Sequence, residues 1–242
     1  LFKVKNVKSD AKKRTNNNQP PISYKQAKNT VRAFNIIVFA LFAWITFTSI
    51  ATQLAFVIMA LVPFACMNLL REYKGIIVYD HEDGNKPNIG LACVIAVCGM
   101  VIKIGSDYTI FSYTLVWIYS IGLTVLFIIA FEKIAQMPKD SLVLRMVINS
   151  FYGFFYSFAL VIFINCAFNS SPSNYFSARI IEKYETKGKN SSNVLILERW
   201  HTQTKNETEH VTQKLYDSKS IGDYIDIDYS NGLLGIGWYE LK

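Results

Sequence analysis

The chain has 242 residues, 51% of them hydrophobic and only 18% charged, with a mean hydropathy of +0.21. So few charges leave too little polar material to cover a soluble globule, which argues against an ordinary cytosolic domain and a disordered chain alike and points to a multi-pass membrane protein. The formal charge of +7 is concentrated: residues 1–33 carry nine Lys/Arg against one acid, Asp10, while the other 209 residues are close to neutral.

Residues 1–33 read as a basic tail, with Lys12-Lys13-Arg14, Asn16 to Asn18 and Pro20-Pro21, a composition that builds no core. Beside a hydrophobic helix such a cluster is retained on the cytoplasmic side and drawn to anionic headgroups, so a lipid bilayer rather than nucleic acid is its expected partner. No small-residue cleavage site follows, and the first apolar segment is expected to stay in the membrane.

From Ala33 to Leu70 the chain runs 38 residues without a charge. That is too long for one crossing and about right for two of ~20 residues, interrupted at Thr46, Thr48, Ser49, Thr52 and Gln53. Spans are expected at 34–51, 54–70, 89–104, 110–131 and 146–168, a transmembrane domain over 34–168. The third holds Gly90, Ala92, Ala96 and Gly99, small residues that let helices approach closely. Lys103 at its end reads as a snorkelling lysine. Tyr113, Trp117 and Tyr119 fit an interfacial belt, and the row from Phe151 to Phe158 reads as packing or lipid contact. Cys66, Cys93, Cys98 and Cys166 all lie in apolar runs and read as small hydrophobes, with no metal or redox spacing. Asn68, Asn149 and Asn165, deep in spans, read as interhelical hydrogen-bonding groups.

Basic residues fix the expected orientation. The tail, the 71–88 loop (Arg71, Lys74, Lys86) and the 132–145 loop (Lys133, Lys139, Arg145) fall on one side if there are five spans, placing the N-terminus in the cytoplasm and the C-terminus outside.

From 169 to 242 the composition becomes that of a soluble, β-rich domain. Strands are expected at Tyr175–Tyr184, Val194–His201, Glu207–Thr212, Tyr224–Tyr229 and Leu233–Leu241, with one helical turn in Gln213–Ser220. Asn231-Gly232 is a hairpin signal because both residues tolerate positive φ. Gly235 and Gly237 suit a bulge or a close backbone approach.

The ending, Gly222-Asp223-Tyr224-Ile225-Asp226-Ile227-Asp228-Tyr229 and then Gly232-Leu233-Leu234-Gly235-Ile236-Gly237-Trp238-Tyr239, resembles that of a loose group of bacterial multi-pass inner-membrane proteins. Those close on G-D-x-V-x-V, a short gap and G-x-L-G-x-x-W-Y, although Gly237 stands where a proline or arginine is more usual. Asp80 to Asn88, ahead of a small-residue span, is similar to the same group. Some members look like immunity proteins of antibacterial secretion systems, which implies a bacterial inner-membrane location and a protein partner.

Catalysis needs converging polar groups. His201 and His210, on neighbouring expected strands, could meet Glu198 or Glu209, yet their spacing matches no metalloenzyme motif, and His81 stands apart. Asp226 and Asp228 alternate and share a strand face, with Asp223 nearby, as on any half-exposed strand. No phosphate loop or nucleophile elbow appears, so no enzyme activity and no cofactor are expected. Trp238 reads first as a large apolar anchor for the small core and, as the alternative, as part of a recognition surface; the expectation is a binding protein acting by contact, its candidate contact residues being Trp238, Tyr239, Tyr224, Asp226 and Asp228. The alternative is a subunit of an oligomeric membrane complex, such as a pore, transporter accessory or defence effector, assembled with itself or with others.

Overall fold

The computed structural model describes residues 24–48, 50–78, 86–135, 142–186, 192–202 and 205–242. The tail up to Ser23, the Asp83-Gly84-Asn85 turn and His81 lie outside these residues. Five helices run back and forth: α1 (Tyr24–Phe47), α2 (Thr52–Glu72), α3 (Gly90–Asp107), α4 (Thr114–Ala135) and α5 (Leu142–Ala167). All five are long and apolar enough to cross a bilayer, so the chain is a multi-pass membrane protein.

The 38-residue run breaks at a tight turn. Ala51 takes a left-handed φ of 49°, and the Trp44 indole N–H donates to the Ile50 carbonyl at 2.9 Å, tying the turn to α1. The first helix starts at Tyr24, ten residues earlier than expected. Lys25, Lys28 and Arg32 are good helix formers whose long stems can lie along apolar surface, so charge does not end the helix there.

α3 packs against α1, α2 and α5, and Gly90, Ala92, Ala96 and Gly99 are all buried. A β-carbon on Gly99 would stand 2.9 Å from both Met59 and Phe42, so α1 and α2 approach this closely only because the side chain is absent. Cys66, Cys93 and Cys166 are buried and Cys98 is exposed on the outer surface of the bundle; all four thiols are free. The aromatic row of α5 zips onto α4, with Trp117 stacked on Phe154 at 5.8 Å and Tyr113 on Phe158 at 6.2 Å, while Phe151 faces outward. Pro63 removes one donor from α2, and one residue along from the carbonyl it orphans the Tyr156 hydroxyl donates to Ala60 O at 2.8 Å.

The remainder is one antiparallel sheet of β1 (Thr109–Ile110), β2 (Asn174–Glu185), β3 (Asn193–Leu197), β4 (Glu207–Val211), β5 (Tyr224–Asn231) and β6 (Gly237–Leu241), in the order β1-β6-β5-β2-β3-β4. A short helix α6 (Gln213–Ser218) is capped by the Thr212 hydroxyl. The sheet curls until Tyr239 on β6 reaches Glu209 on β4, four strands away. Its core is Ile180, Leu195, Leu197, Ile225, Ile227 and their neighbours.

Three expectations change. The α3–α4 connection carries β1, which pairs with β6 through Thr109–Tyr239 and Ile110–Trp238. The third strand stops at Leu197, after which Glu198 and Arg199 are exposed and Trp200 turns inward. The last hairpin is wider than a two-residue turn: Asn231 pairs with Gly237, and the loop spans 232–236 with positive φ at Gly235. The α1–α2 turn, the α3–α4 connection and the sheet thus share one end of the bundle, the sheet end. Lys28, Arg32, Arg71, Lys74 and Lys86 gather at the other, the basic end.

Candidate interaction site

Strand alternation divides the sequence-selected residues between two faces. Trp238 and Tyr239 are consecutive and therefore point to opposite sides. Tyr239 is buried, faces the sheet core and donates its hydroxyl to Glu209; it is not part of an outer surface. Trp238 lies on the outer face with Tyr224, Asp226 and Asp228, as the β5–β6 register requires.

That outer face has a docked part and a free part. In the docked part Trp238 packs edge-on against Tyr108 at 5.8 Å, and Ile110, Leu234 and Ile236 join the helical core. Asn165, fully buried at the end of α5, holds the 232–236 loop: its Nδ2 donates to Ile236 O at 2.8 Å, and its Oδ1 accepts from Leu234 N at 3.0 Å and Ile236 N at 3.3 Å. The Leu233 amide adds a bond to the Asn165 carbonyl at 2.9 Å. A β-carbon on Gly232 would lie 2.1 Å from Asn165 Nδ2, so this glycine serves close approach rather than a left-handed turn. Gly237 likewise leaves room for the Tyr229 hydroxyl. The expected interhelical role of Asn165 is replaced by this clamp; Asn68 is exposed, and Asn149 is fully buried with neither amide atom partnered among the described residues. Lys103 does not stand alone but pairs with Asp107 at 3.1 Å.

In the free part Tyr175 is 78% exposed and Tyr224 61% exposed, on neighbouring strands. Tyr175 stands opposite Asp228, Ser177 opposite Asp226 and Arg179 opposite Tyr224, while Asp228 faces Glu240 across β6. Asp226 is exposed and has no ion-pair partner among the described residues. Asp228 accepts from Lys242 at 2.8 Å; that ammonium, helped by the nearby Ser173 hydroxyl, holds its carboxyl below the usual range. Between the two parts lies a notch of about 310 Å³ lined by Ser173, Asp228, Ser230, Trp238, Glu240 and the end of α5. Asp228 Oδ1 and Trp238 Nε1, both from residues lining it, are buried without a hydrogen-bond partner among the described residues.

The inner face carries its own polar group. Trp200 Nε1 donates to Glu207 at 3.2 Å, and burial pushes the Glu209 carboxyl up despite its bond from Tyr239. Burial, then Glu209, pushes the Tyr239 phenol up in turn. His210 is exposed on β4 and bonds Ser192 at 3.1 Å, while His201 lies beyond the end of β3 with its ring 4.8 Å from that of Tyr229. Glu209 points into the sheet, away from His210, and Glu198 is exposed. Among the described residues no three His, Cys, Asp or Glu side chains converge as a metal site would need. Sequence reasoning missed Tyr175 and Arg179, which the β2–β5 register brings beside β5.

No protein-family model, no curated protein and no solved structure matches the chain.

Proposed function

We propose that this membrane protein works by contact, presenting the free face of β2, β5 and β6 to a protein partner, and that it is an immunity-type protein of a bacterial inner membrane that neutralises a toxin. The carrying observation is that exposed Tyr175 and Tyr224 lie on one face of neighbouring strands to either side of Asp226, which has no ion-pair partner among the described residues. Rigid aromatic side chains next to charge are the residue types that anchor protein interfaces, and the acidic centre suits a basic patch on the partner. The sheet is held to the bundle by backbone bonds, so this face is pre-organised and little ordering is needed on binding. The basic end belongs in the cytoplasm under the positive-inside rule, which turns the face outward, where an incoming toxin arrives.

Two measurements test the reading. An alkaline phosphatase reporter fused after Lys242 is expected to be active; activity of a cytoplasmic reporter there instead overturns the orientation. The second requires a search of the neighbouring genes for a secreted toxin: in cells producing it, Tyr224→Ala with Asp226→Lys should abolish protection while the thermal midpoint stays put, and the lack of any such gene counts against the toxin reading. Retained protection refutes the face. A photo-crosslinker at position 224 that joins only a second copy of the chain would replace the toxin reading with the oligomer.

A further inference from the structure

At the basic end, α1 and α3 line an open groove of about 600 Å³. Its walls are apolar, from Ile36 and Phe39 on α1 to Leu91 and Ile95 on α3, and its mouth carries Lys28 and Arg32. Positions 28, 32, 36 and 39 follow one stripe of α1, so the two cations stand above the apolar wall on the same helix face, over roughly 16 Å of helix. Both cations are exposed and neither has an ion-pair partner among the described residues. Among the described residues no acidic side chain lines the groove. Asn35, which also lines it, gives Nδ2 to Asn88 O at 3.2 Å and leaves Oδ1 buried without a partner among the described residues.

We infer that this groove is a binding site for an anionic phospholipid, its phosphate held between Lys28 and Arg32 and one acyl chain lying along Ile36, Phe39, Leu91 and Ile95. Charge complementarity selects the occupant. A zwitterionic lipid would bring a cationic group to a doubly positive mouth, and the chain's own N-terminal segment, with Lys3, Lys5, Lys8, Lys12, Lys13 and Arg14 against Asp10, would bring more positive charge to it. The apolar wall excludes a free soluble anion as the natural ligand, since most of the groove offers it nothing to bind. The site is remote from the sheet end and stands whether or not the proposed partner contact does.

The test uses the full chain in nanodiscs of phosphatidylcholine with and without 30% phosphatidylglycerol, read by thermal unfolding and by native mass spectrometry of retained lipid. Phosphatidylglycerol is expected to raise the midpoint and to remain bound after ejection from the disc. Lys28→Gln with Arg32→Gln should cut retention roughly thirtyfold, at about a factor of five for each basic residue. Lys25→Gln with Lys86→Gln, which removes the same charge from the same end, should leave it within about twofold. Leu91→Trp, a filling change at an exposed position that the fold tolerates, should displace the acyl chain and lower retention with both cations intact. Equal retention of the two lipids, or equal loss in the two charge pairs, overturns the site and leaves only a diffuse attraction of the basic end to anionic membranes.

Discussion

At the sheet end the bundle is closed by directed backbone bonds: β1 pairs with β6, and Asn165 grips three groups of the 232–236 loop. At the basic end a groove stays open between α1 and α3, beside bonds that include Asn35 Nδ2 to the Asn88 carbonyl, the Thr30 and Tyr73 hydroxyls at 3.5 Å, and the backbone bonds from Val78 to Pro87 and from Ile89 to Val78, each at 3.0 Å. On the proposed readings, each end suits what it would meet. Directed bonds fix a soluble sheet in one orientation over the membrane, where its free face gains from being rigid. Charged stems over an apolar wall fit a fluid neighbour, for which fixed geometry gives little.

The largest test of this contrast is Asn165→Ala. It leaves the Leu234 and Ile236 amides without their acceptor in a largely buried joint and takes one of two donors from the Ile236 carbonyl, which keeps the Gly232 amide at 3.1 Å; the change should cost about 3–5 kcal/mol, seen as a lower unfolding midpoint of the solubilised chain and as protease cleavage near 232–236. The matching change at the basic end, Asn35→Ala, breaks one part-buried bond and removes an oxygen that has no partner among the described residues, so a loss of less than about 1 kcal/mol is expected. Equal losses would erase the distinction between the ends.

Next in size is Trp238→Ala. The indole is half-buried rather than enclosed, so the loss should be about 2–3 kcal/mol, below the ~3–5 typical of a fully buried aromatic. Because Trp238 touches Tyr108 and the helical core, the loss should appear as weaker docking of the sheet. Tyr224→Ala should do the reverse, sparing stability and weakening partner contact. A Trp238→Ala chain that unfolds normally yet fails to protect would move the indole from the joint to the recognition surface.

How legible these regions were in the sequence depends on the range of the interaction. The spans declare themselves by uncharged length, the packing of α3 by Gly90, Ala92, Ala96 and Gly99, and the outer face of β5 by the alternation of Tyr224, Asp226 and Asp228 with Ile225 and Ile227. All of these are local periodicities. Alternation also says that Trp238 and Tyr239 cannot share a face, and only the curl that brings β4 within reach decides which goes inside. The Asn165 clamp joins residues 69 and 71 apart in sequence and has no local signature. Strand β1 is two residues long, shorter than any periodicity. Gly232 carried a real signal that fitted a hairpin glycine equally well; only the position of Asn165 tells close approach from turn.

A smaller effect is expected from pH on the inner face. The Glu209 carboxyl is raised in the folded chain, chiefly by burial, above its ordinary value of 4.5. Its contribution to stability is therefore complete below about pH 4.5 and is lost as pH rises through the folded value. Glu209→Gln keeps an acceptor for the Tyr239 hydroxyl and removes the buried charge, so the variant should unfold at a higher temperature than the parent at pH 7–8, and the gap should close on acidification. A variant less stable than the parent at pH 8 would mean that the ionised carboxylate holds the β4–β6 contact together.

The smallest effect should come from His201→Ala with His210→Ala. His210 is exposed on β4, and its bond with Ser192 Oγ is a surface contact that water replaces. His201 is exposed too, although its ring borders Phe111, Phe176 and Tyr229 at 4.8–5.3 Å, so its removal costs some aromatic edge contact without opening the core. The pair should lose no more than about 1 kcal/mol, and protection should be unchanged between pH 5.5 and 8. Chemistry and contact part company here. Proton transfer or metal binding through these rings would give a folded chain with lost or newly pH-dependent protection, whereas a contact face on β2, β5 and β6 is indifferent to both. A folded double variant that fails to protect, while Tyr224→Ala with Asp226→Lys still protects, would move the working surface from the free face to the rim around Trp200 and His201.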